Sequence, residues 1–110
     1  MENIKLNQLA FNADGLIPTV VQEQSTNEIL MVAYSNQESI ELSLNTLNAH
    51  FWSRSKKKIW LKGETSRNIL KIFNIYTDCD NDTLIFEVEL KGTGACHTGT
   101  KTCFFKKVIK

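Results

Sequence analysis

The sequence predicts an α+β, β-rich fold, a small twisted sheet or pseudo-barrel that carries one main amphipathic helix. Three patterns favour this fold. Residues 84–91 alternate apolar with polar side chains, two pairs of apolar runs flank short polar turns, and one segment after residue 35 has helical periodicity. At 110 residues and 42% hydrophobic, the chain fits a single domain spanning residues 1–110.

The segment before the helix is predicted to be an N-terminal arm followed by a hairpin. Residues 1–15 place apolar side chains at mixed spacing and end in an Asp-Gly turn signal, which indicates a short helix or arm. Two apolar runs then flank a polar turn at residues 25–27. They predict two antiparallel strands, Thr19–Glu23 and Glu28–Tyr34.

The helix is predicted directly after this hairpin. The four residues from Ser35 have the Ser-x-x-Glu form of a capping box. The apolar residues that follow recur at helical spacing, namely Ile40, Leu44 and Leu47, and polar residues such as Ser43 fill the other side. We expect a helix of about three turns with its apolar stripe on the sheet.

The second half of the chain is predicted to supply the remaining strands. His50–Ser55 and Ile59–Leu61 form a second hairpin with a very basic tip. Asn68–Asp78 has apolar residues on both faces, which favours a central strand covered on both sides. Residues 84–91 form a half-exposed strand, and Phe104–Val108 is expected to close the sheet.

Composition limits the partners of the protein. Thirteen basic and twelve acidic residues give a net charge of +1, so no global field gathers nucleic acid or an anionic membrane. The chain has no apolar run of roughly 18 residues and no secretory signal pattern. We therefore expect a cytoplasmic protein, in which three cysteines, an odd number, indicate buried thiols or a metal site before structural disulfides.

The cysteines and one histidine are the first candidates for chemistry. Cys96 and Cys103 are separated by six residues, unlike a zinc-ribbon knuckle, and with Cys79 they supply three thiolates. Three protein ligands leave a position on Zn²⁺ for water, although the same thiols also fit buried small apolar side chains. His97, directly beside Cys96, is a candidate general base, because histidine is the side chain most often used for that role. An isolated histidine, however, is more often a structural hydrogen-bonding group.

Three alternating aspartates form a second candidate site. If the stretch is extended, Asp78, Asp80 and Asp82 share one face and Cys79 points the other way. Such a cluster repels itself unless a cation is near, which suggests Mg²⁺. A calcium-binding EF-hand is excluded because Thr83 stands where that loop needs glycine and the flanks are predicted strands.

A third cluster around the second hairpin mixes hydroxyl, guanidinium and ammonium groups that suit phosphate. The candidate substrate-binding residues are Trp52, Ser53, Arg54, Ser55, Lys62, Thr65 and Ser66. They also fit a solvated basic turn. A further alternative is a nonenzymatic, zinc-stabilised β domain that binds single-stranded nucleic acid through Trp52, Arg54 and the Lys56–Lys58 tip. A third possibility is hydrolysis of a purine-like ring, since motif spacing does not identify the base.

Five motifs in a fixed order carry a family resemblance. They are Gly15–Pro18, His50–Ser55, Trp60–Ser66, Asp78–Asp82 and Ala95–Phe104. Together they resemble the phosphoribosyl-AMP cyclohydrolase family of histidine biosynthesis over roughly residues 16–104.

The resemblance implies a hydrolase that opens the purine ring of the small nucleotide 1-(5-phosphoribosyl)-AMP between N1 and C6. It also implies an intertwined homodimer with Zn²⁺ at the subunit interface, where Cys79 of one subunit joins Cys96 and Cys103 of the other. The three aspartates would bind Mg²⁺, and His97 would help to deprotonate the attacking water. No nucleic acid, membrane or fused pyrophosphohydrolase domain is expected.

Overall fold

The computed structural model describes residues 2–110 and has the predicted α+β, β-rich character. Its elements are a 3-10 turn at Leu6–Gln8, β1 (Ile17–Glu23), β2 (Ile29–Ser35), α1 (Gln37–Thr46), β3 (His50–Ser53), β4 (Lys58–Leu61), β5 (Ile69–Thr77) and β6 (Leu84–Lys91). Both predicted hairpins are confirmed, since β1 pairs with β2 and β3 pairs with β4, each pair antiparallel.

The six strands form one mixed sheet in the order β4-β3-β2-β1-β6-β5, in which β1 and β6 are parallel. The sheet curls like half a barrel, which agrees with the predicted twisted sheet or pseudo-barrel. The segment before β3 reaches the far edge of the sheet, where Ala49 N–H donates to the Leu70 carbonyl at 2.9 Å and Ile72 N–H donates to the Leu47 carbonyl at 2.8 Å. The two ends of the sheet therefore lie close together.

The core lies inside this curl and is built by strand alternation. Leu84, Phe86 and Val88 on β6 are buried, as the alternating pattern predicts. Phe51 from β3 is at the centre, with ring centroids 5.6 Å from Phe86 and 5.4 Å from Trp60. Burying one such aromatic side chain contributes roughly 2–3 kcal/mol, so these rings hold the β3–β4 end of the sheet against β6.

The predicted capping box is wrong by one residue. Ser35 is still part of β2, and its buried hydroxyl lies 2.7 Å from the Thr19 hydroxyl. Asn36 is the cap instead, because its side chain accepts from Ser39 N–H at 2.8 Å and Ser39 Oγ accepts from Asn36 N–H at 2.9 Å. Two of the four N–H groups that lack an intrahelical partner at the start of the helix are thereby satisfied.

The buried face of α1 also differs from the prediction. Ile40 is buried, but Leu44 and Leu47 are 50% and 46% exposed. Ser43, predicted on the polar side, is fully buried. Its hydroxyl can be buried because it accepts a hydrogen bond from His50 N–H at 2.9 Å, which replaces a hydrogen bond to water.

Two strand predictions are wrong within the described residues. β5 is an edge strand and not a central one, and a register shift between Ile72 and Asn74 leaves Phe73 46% exposed. Phe104–Val108 has no strand structure and is exposed. The chain crosses β2 at a single point, where Cys103 N–H donates to the Leu30 carbonyl at 2.8 Å. A strand needs a repeated ladder of such bonds.

Candidate active site

An open cavity of about 580 Å³ collects four separate segments of the chain. They are the β3–β4 hairpin, the loop after β4, the residue before β5 and the loop after β6. The polar residues among those that line it are Ser53, Lys56, Lys58, Lys62, Glu64, Thr65, Ser66, Asn68, Cys96 and His97. A concave site with ammonium, hydroxyl, thiol and imidazole groups is suited to an anionic small molecule.

The loop after β4, residues 62–67, is called here the substrate loop. Gly63 has φ +87°, and a Cβ at this position would lie 2.6 Å from the backbone carbon of Asn68. Only glycine fits this close approach of two backbones. Arg67 N–H donates to the Gly63 carbonyl at 2.8 Å, so the loop closes tightly and brings Lys62, Thr65 and Ser66 to the cavity.

The loop after β6, residues 92–103, is called here the thiol loop. It folds back on itself, since Ala95 N–H donates to the Lys101 carbonyl at 2.9 Å and Cys96 N–H donates to the Thr100 carbonyl at 3.2 Å. This turn brings the thiols of Cys96 and Cys103 close enough to affect each other's pKa, although six residues separate them in sequence.

The thiol loop is anchored to the first hairpin by one lysine. Lys101 Nζ lies 2.7 Å from Glu23 Oε1 and 3.1 Å from Glu28 Oε1. The hydrogen bond to Lys101 lowers the pKa of Glu23, whose side chain is 12% exposed, and the same bond raises the pKa of Lys101. Thr102 Oγ1 adds a hydrogen bond to the Ile29 carbonyl at 2.7 Å. The loop is thus fixed to the sheet without any metal.

The two thiols of this loop differ in acidity. Hydrogen bonds from Thr98, whose hydroxyl lies 3.0 Å from Cys96 Sγ, and from Thr100 lower the pKa of Cys96 to about 6. Burial raises the pKa of Cys103, and its interaction with Cys96 raises it further. Cys96 is therefore a thiolate at neutral pH, the form that binds metals.

Residues 78–82, called here the acidic turn, are not the extended stretch that the sequence predicts. Asn81 has φ +63°, and its N–H donates to the Asp78 carbonyl at 3.2 Å. The turn still groups Asp78, Asp80 and Asp82, whose ligand oxygens all lie within 4.8 Å of one another. The predicted cluster of carboxylates is therefore present, but a turn and not strand alternation produces it.

The acidic turn carries unbalanced charge. Partial desolvation raises the pKa of Asp78, but hydrogen bonds from the N–H groups of Asp82 and Thr83 outweigh it, so the net pKa is lowered. The interactions with Asp80 and then Asp78 raise the pKa of Asp82. Two of the three exposed carboxylates thus raise the pKa of the third. Such mutual repulsion favours a bound cation.

A family model described as phosphoribosyl-AMP cyclohydrolase matches residues 31–105, more than half of the chain. The chain belongs to the phosphoribosyl-AMP cyclohydrolase family. The phosphoribosyl-AMP cyclohydrolase of Archaeoglobus fulgidus is 50% identical over 101 residues, which cover 92% of this chain and 93% of that protein. That of Methanoregula boonei is 53% identical over 98 residues, 89% of this chain and 79% of the relative.

A third relative is longer. The histidine biosynthesis bifunctional protein HisIE of Wolinella succinogenes is 50% identical over 106 residues, which cover 96% of this chain and 46% of that protein. The family resemblance drawn from the five motifs is thereby confirmed.

The cavity of this family member brings together six of the residues predicted from sequence. They are Ser53, Lys62, Thr65, Ser66, Cys96 and His97. Trp52, Arg54 and Ser55 do not line it. The Arg54 guanidinium instead stacks on Tyr34, 4.1 Å from the ring centroid. Strand alternation explains the absence of Trp52, since neighbours in β3 point to opposite faces. Arg54 and Ser55 lie in the turn after β3.

Four polar cavity residues were not among the predicted site residues, namely Lys56, Lys58, Glu64 and Asn68. Lys56 and Lys58 belong to the basic hairpin tip, whose return strand pairs Lys58 with Ser53 and so brings both to the cavity. Asn68 lies between the substrate loop and β5. Its sequence neighbours carry no signal for a contact with the thiol loop, because that contact is between residues 25 positions apart.

The two candidate metal sites fit different ions. A pair of cysteines suits Zn²⁺, and three convergent carboxylates suit Mg²⁺. Cys79 is exposed and lines a different cavity, beside the acidic turn. Within residues 2–110, no cluster of three or more candidate metal ligands whose ligand atoms lie within 4.8 Å of one another contains a cysteine. One chain thus places two thiols at one position and the third at another.

Across residues 2–110, no helix combines the length and apolar character required to cross a bilayer.

Proposed function

We propose that the protein is a zinc-dependent hydrolase that opens the purine ring of 1-(5-phosphoribosyl)-AMP between N1 and C6, a step of histidine biosynthesis. The relatives support this reaction by name, since two are phosphoribosyl-AMP cyclohydrolases and one is a histidine biosynthesis protein. The observation that carries the proposal is the cavity, in which Cys96 and His97 lie beside hydroxyl and ammonium groups. A biosynthetic role also fits the cytoplasmic location predicted from the sequence.

The cavity can hold the phosphate groups of the nucleotide. Lys56, Lys58 and Lys62 bring three ammonium groups against the single carboxylate of Glu64, which leaves a local excess of positive charge. The Thr65 and Ser66 hydroxyls add neutral donors. This local cluster attracts the substrate even though the whole chain has a net charge of only +1.

The metal ligands follow from the donor sets. Zn²⁺ would be held by Cys96 and Cys103 of one subunit and Cys79 of a second copy, and Mg²⁺ by Asp78, Asp80 and Asp82. When bound, zinc supplies Lewis acidity toward water and substrate, and magnesium offsets carboxylate and phosphate charge. The separation of Cys79 from the other two thiols supports a homodimer, because one chain does not complete a three-thiolate site.

His97 would move the protons of the reaction. Its exposed side chain lines the cavity next to Cys96, so the imidazole can accept a proton from the water that adds to C6. As the N1–C6 bond breaks, the electron pair stays on N1, and the imidazolium returns its proton there. The second proton of the water passes from the C6 hydroxyl to the exocyclic nitrogen, so C6 becomes the carbon of a carboxamide, and atoms and charges balance.

Turnover of the nucleotide tests the proposed function. The purified protein, supplied with Zn²⁺ and Mg²⁺, is mixed with phosphoribosyl-AMP, and the ultraviolet change on ring opening is followed. We expect turnover that a zinc chelator abolishes. No turnover together with tight binding of single-stranded RNA would replace the proposal with the nucleic-acid alternative.

The role of His97 needs its own variant. We expect His97→Ala to lower kcat by roughly 10²- to 10⁴-fold, with zinc content unchanged. Near-normal turnover by a zinc-loaded His97→Ala protein would remove the imidazole from the proton transfers.

A further inference from the structure

Asn68 lies where the substrate loop meets the thiol loop. It lines the cavity, and its backbone passes so close to Gly63 that a Cβ there would be 2.6 Å away. On the other side, a Cβ on Gly92 would overlap the Asn68 side-chain oxygen. Glycines on both loops therefore leave room for this one residue.

The orientation of the Asn68 side chain is fixed by the thiol loop. Thr93 N–H donates to Asn68 Oδ1 at 3.0 Å. A backbone N–H can only donate, so the atom that faces Thr93 must be the amide oxygen, and the NH₂ group must point the other way.

The NH₂ group of Asn68 has no partner in the protein. Among residues 2–110, no hydrogen bond uses Asn68 Nδ2 as a donor, and no side-chain nitrogen or oxygen is both buried and unpaired. Nδ2 is therefore accessible to solvent, and the side chain to which it belongs lines the cavity. Two N–H groups remain available for an acceptor that enters the cavity.

The neighbours of Asn68 indicate which acceptor this is. Asn68 N–H donates to Ser66 Oγ at 3.2 Å. That bond occupies a lone pair of the hydroxyl and leaves its proton free to donate. Lys62 and Thr65 line the same cavity. The cavity has more donors than acceptors, since one carboxylate, that of Glu64, lines it beside three lysines, and such a group of donors suits the oxygens of a phosphate.

We propose that Asn68 is a substrate-binding residue whose Nδ2 donates a hydrogen bond to a phosphate oxygen of the nucleotide, with its orientation set by Thr93 N–H. This inference rests on the proposed function for the identity of the nucleotide. Because Asn68 contacts the substrate loop through its backbone and the thiol loop through its side chain, it also places the bound phosphate at a fixed distance from Cys96 and His97.

Two variants separate substrate binding from a structural role. Asn68→Asp keeps the oxygen that accepts from Thr93 N–H but turns a second carboxylate oxygen toward the phosphate. Asn68→Ala removes both interactions. If Asn68 only held the loops together, Asn68→Ala would be the more damaging change. If Nδ2 binds phosphate, Asn68→Asp is the more damaging change for substrate affinity, because it adds repulsion to a lost donor.

The expected result is a rise in KM for phosphoribosyl-AMP of about 10- to 100-fold for Asn68→Asp and a smaller rise for Asn68→Ala. Zinc content and kcat should change little in Asn68→Asp. Asn45→Asp, which adds the same charge at an exposed helix position, is the matched control and should leave KM unchanged. An unchanged KM in Asn68→Asp, or a larger rise in Asn68→Ala, would overturn the inference.

Calorimetric titration with adenosine 5′-monophosphate distinguishes this inference from the proposed function. If the wild-type protein does not turn over phosphoribosyl-AMP, the proposed function fails, but the nucleotide phosphate can still be tested. Binding by the wild type that is at least about tenfold weaker in Asn68→Asp supports the role of Asn68. Equal affinities, or no binding by a folded wild type, would reject it.

Discussion

The thiol loop and the acidic turn both gather candidate metal ligands, but different forces shape them. The thiol loop is held by backbone hydrogen bonds, by Cys103 N–H on the Leu30 carbonyl and by the ion pairs of Lys101 with Glu23 and Glu28. The partners outside the loop, Leu30, Glu23 and Glu28, all belong to the first hairpin. The thiol loop therefore keeps its shape as long as the sheet is folded.

The acidic turn is shaped mainly by its own carboxylate. Asp78 Oδ1 accepts from the N–H groups of Asp82 at 3.1 Å and Thr83 at 3.3 Å. The arm before β1 also holds the turn through a backbone hydrogen bond, since Ala10 N–H donates to the Asn81 carbonyl at 2.7 Å. All three aspartates are exposed, so repulsion among them opposes the turn until a cation binds.

This difference has a consequence for the whole protein. The thiol loop brings the sulfur of Cys96 to the cavity, with Cys103 beside it in the same loop, whereas the third sulfur, Cys79, lies in the acidic turn at another cavity. A fixed loop and a cation-dependent turn would together form one active site only if two copies of the chain met. The following predictions test that comparison.

The largest effect is expected from the thiol loop. Cys96→Ser removes the thiolate that Thr98 and Thr100 stabilise and should reduce zinc content to background. Turnover should fall by roughly a thousandfold, since the Lewis acid is lost. Zinc content by mass spectrometry and turnover of phosphoribosyl-AMP measure this effect. A Cys96→Ser protein with full zinc and full activity would remove the thiol loop from the metal site.

A smaller and different effect is expected from the acidic turn. Asp82→Asn should weaken Mg²⁺ or Mn²⁺ binding by about 10- to 100-fold, because one charged ligand is lost, and zinc content should not change. The metal-free variant should be no less stable than the wild type, since the other two carboxylates already raise the pKa of Asp82.

Titration calorimetry measures the divalent-ion affinity, and Glu41→Gln, at an exposed position of α1, is the charge-matched control. Equal affinity of Asp82→Asn and wild type would show that the acidic turn binds no divalent ion.

Lys101→Met tests the anchor of the thiol loop. We expect the free energy of unfolding at pH 7 to fall by a small amount, because one ammonium and its partly exposed bridges are lost. The lowered pKa of Glu23 makes its contribution present at neutral pH and lost as pH falls below about 4. The raised pKa of Lys101 makes its contribution present at neutral pH and lost as pH rises above about 10.

Urea unfolding at a series of pH values measures how much this anchor contributes to the free energy of unfolding. The difference between Lys101→Met and wild type should be largest between those limits and vanish at acid pH. Lys91→Met is the matched control, since both partners of its bridge with Glu89 are about half exposed, at 53% and 47%, and it should cost less. A difference that did not depend on pH would contradict the ion-pair account.

The smallest effect is expected from the side-chain hydrogen bond that joins the acidic turn to the arm before β1. Asn81→Gly keeps the positive φ but removes the hydrogen bond from Nδ2 to the Gln8 carbonyl at 3.3 Å. Stability should change by only a few tenths of a kcal/mol, because this bond is exposed. Divalent-ion affinity should fall about two- to fivefold as the turn loosens. Asn27→Gly, at φ +62° in the first hairpin, is the control and should leave affinity unchanged.

The sequence predicts best where a local pattern decides the structure. Alternation in residues 84–91 gives β6 and its buried face, because a strand's side chains point alternately to opposite sides. The ordered motifs indicate the family because they combine many independent residues. The predicted cluster of three aspartates is present for a different reason, since a turn at Asn81 also brings alternate residues together.

Sequence reasoning fails where distant contacts decide. Ser43 is buried only because His50 N–H supplies a hydrogen-bond partner, and β5 is an edge strand because no strand beyond it pairs within the described chain. Asn68 resembles any polar residue before a strand until Thr93, 25 residues later, fixes its amide. Such contacts depend on the curl of the sheet, which no local pattern encodes.

The most direct test of the account is whether two copies of the chain share one active site. Cys79→Ser and Cys96→Ser proteins, each inactive alone, are coexpressed with different tags so that mixed dimers form. If Cys79 serves the partner's thiol loop, each mixed dimer contains one site with all three thiols intact. Activity should then recover to about a quarter of the wild-type value, since half of the dimers are mixed and each has one working site. No recovery in isolated mixed dimers would contradict a shared site.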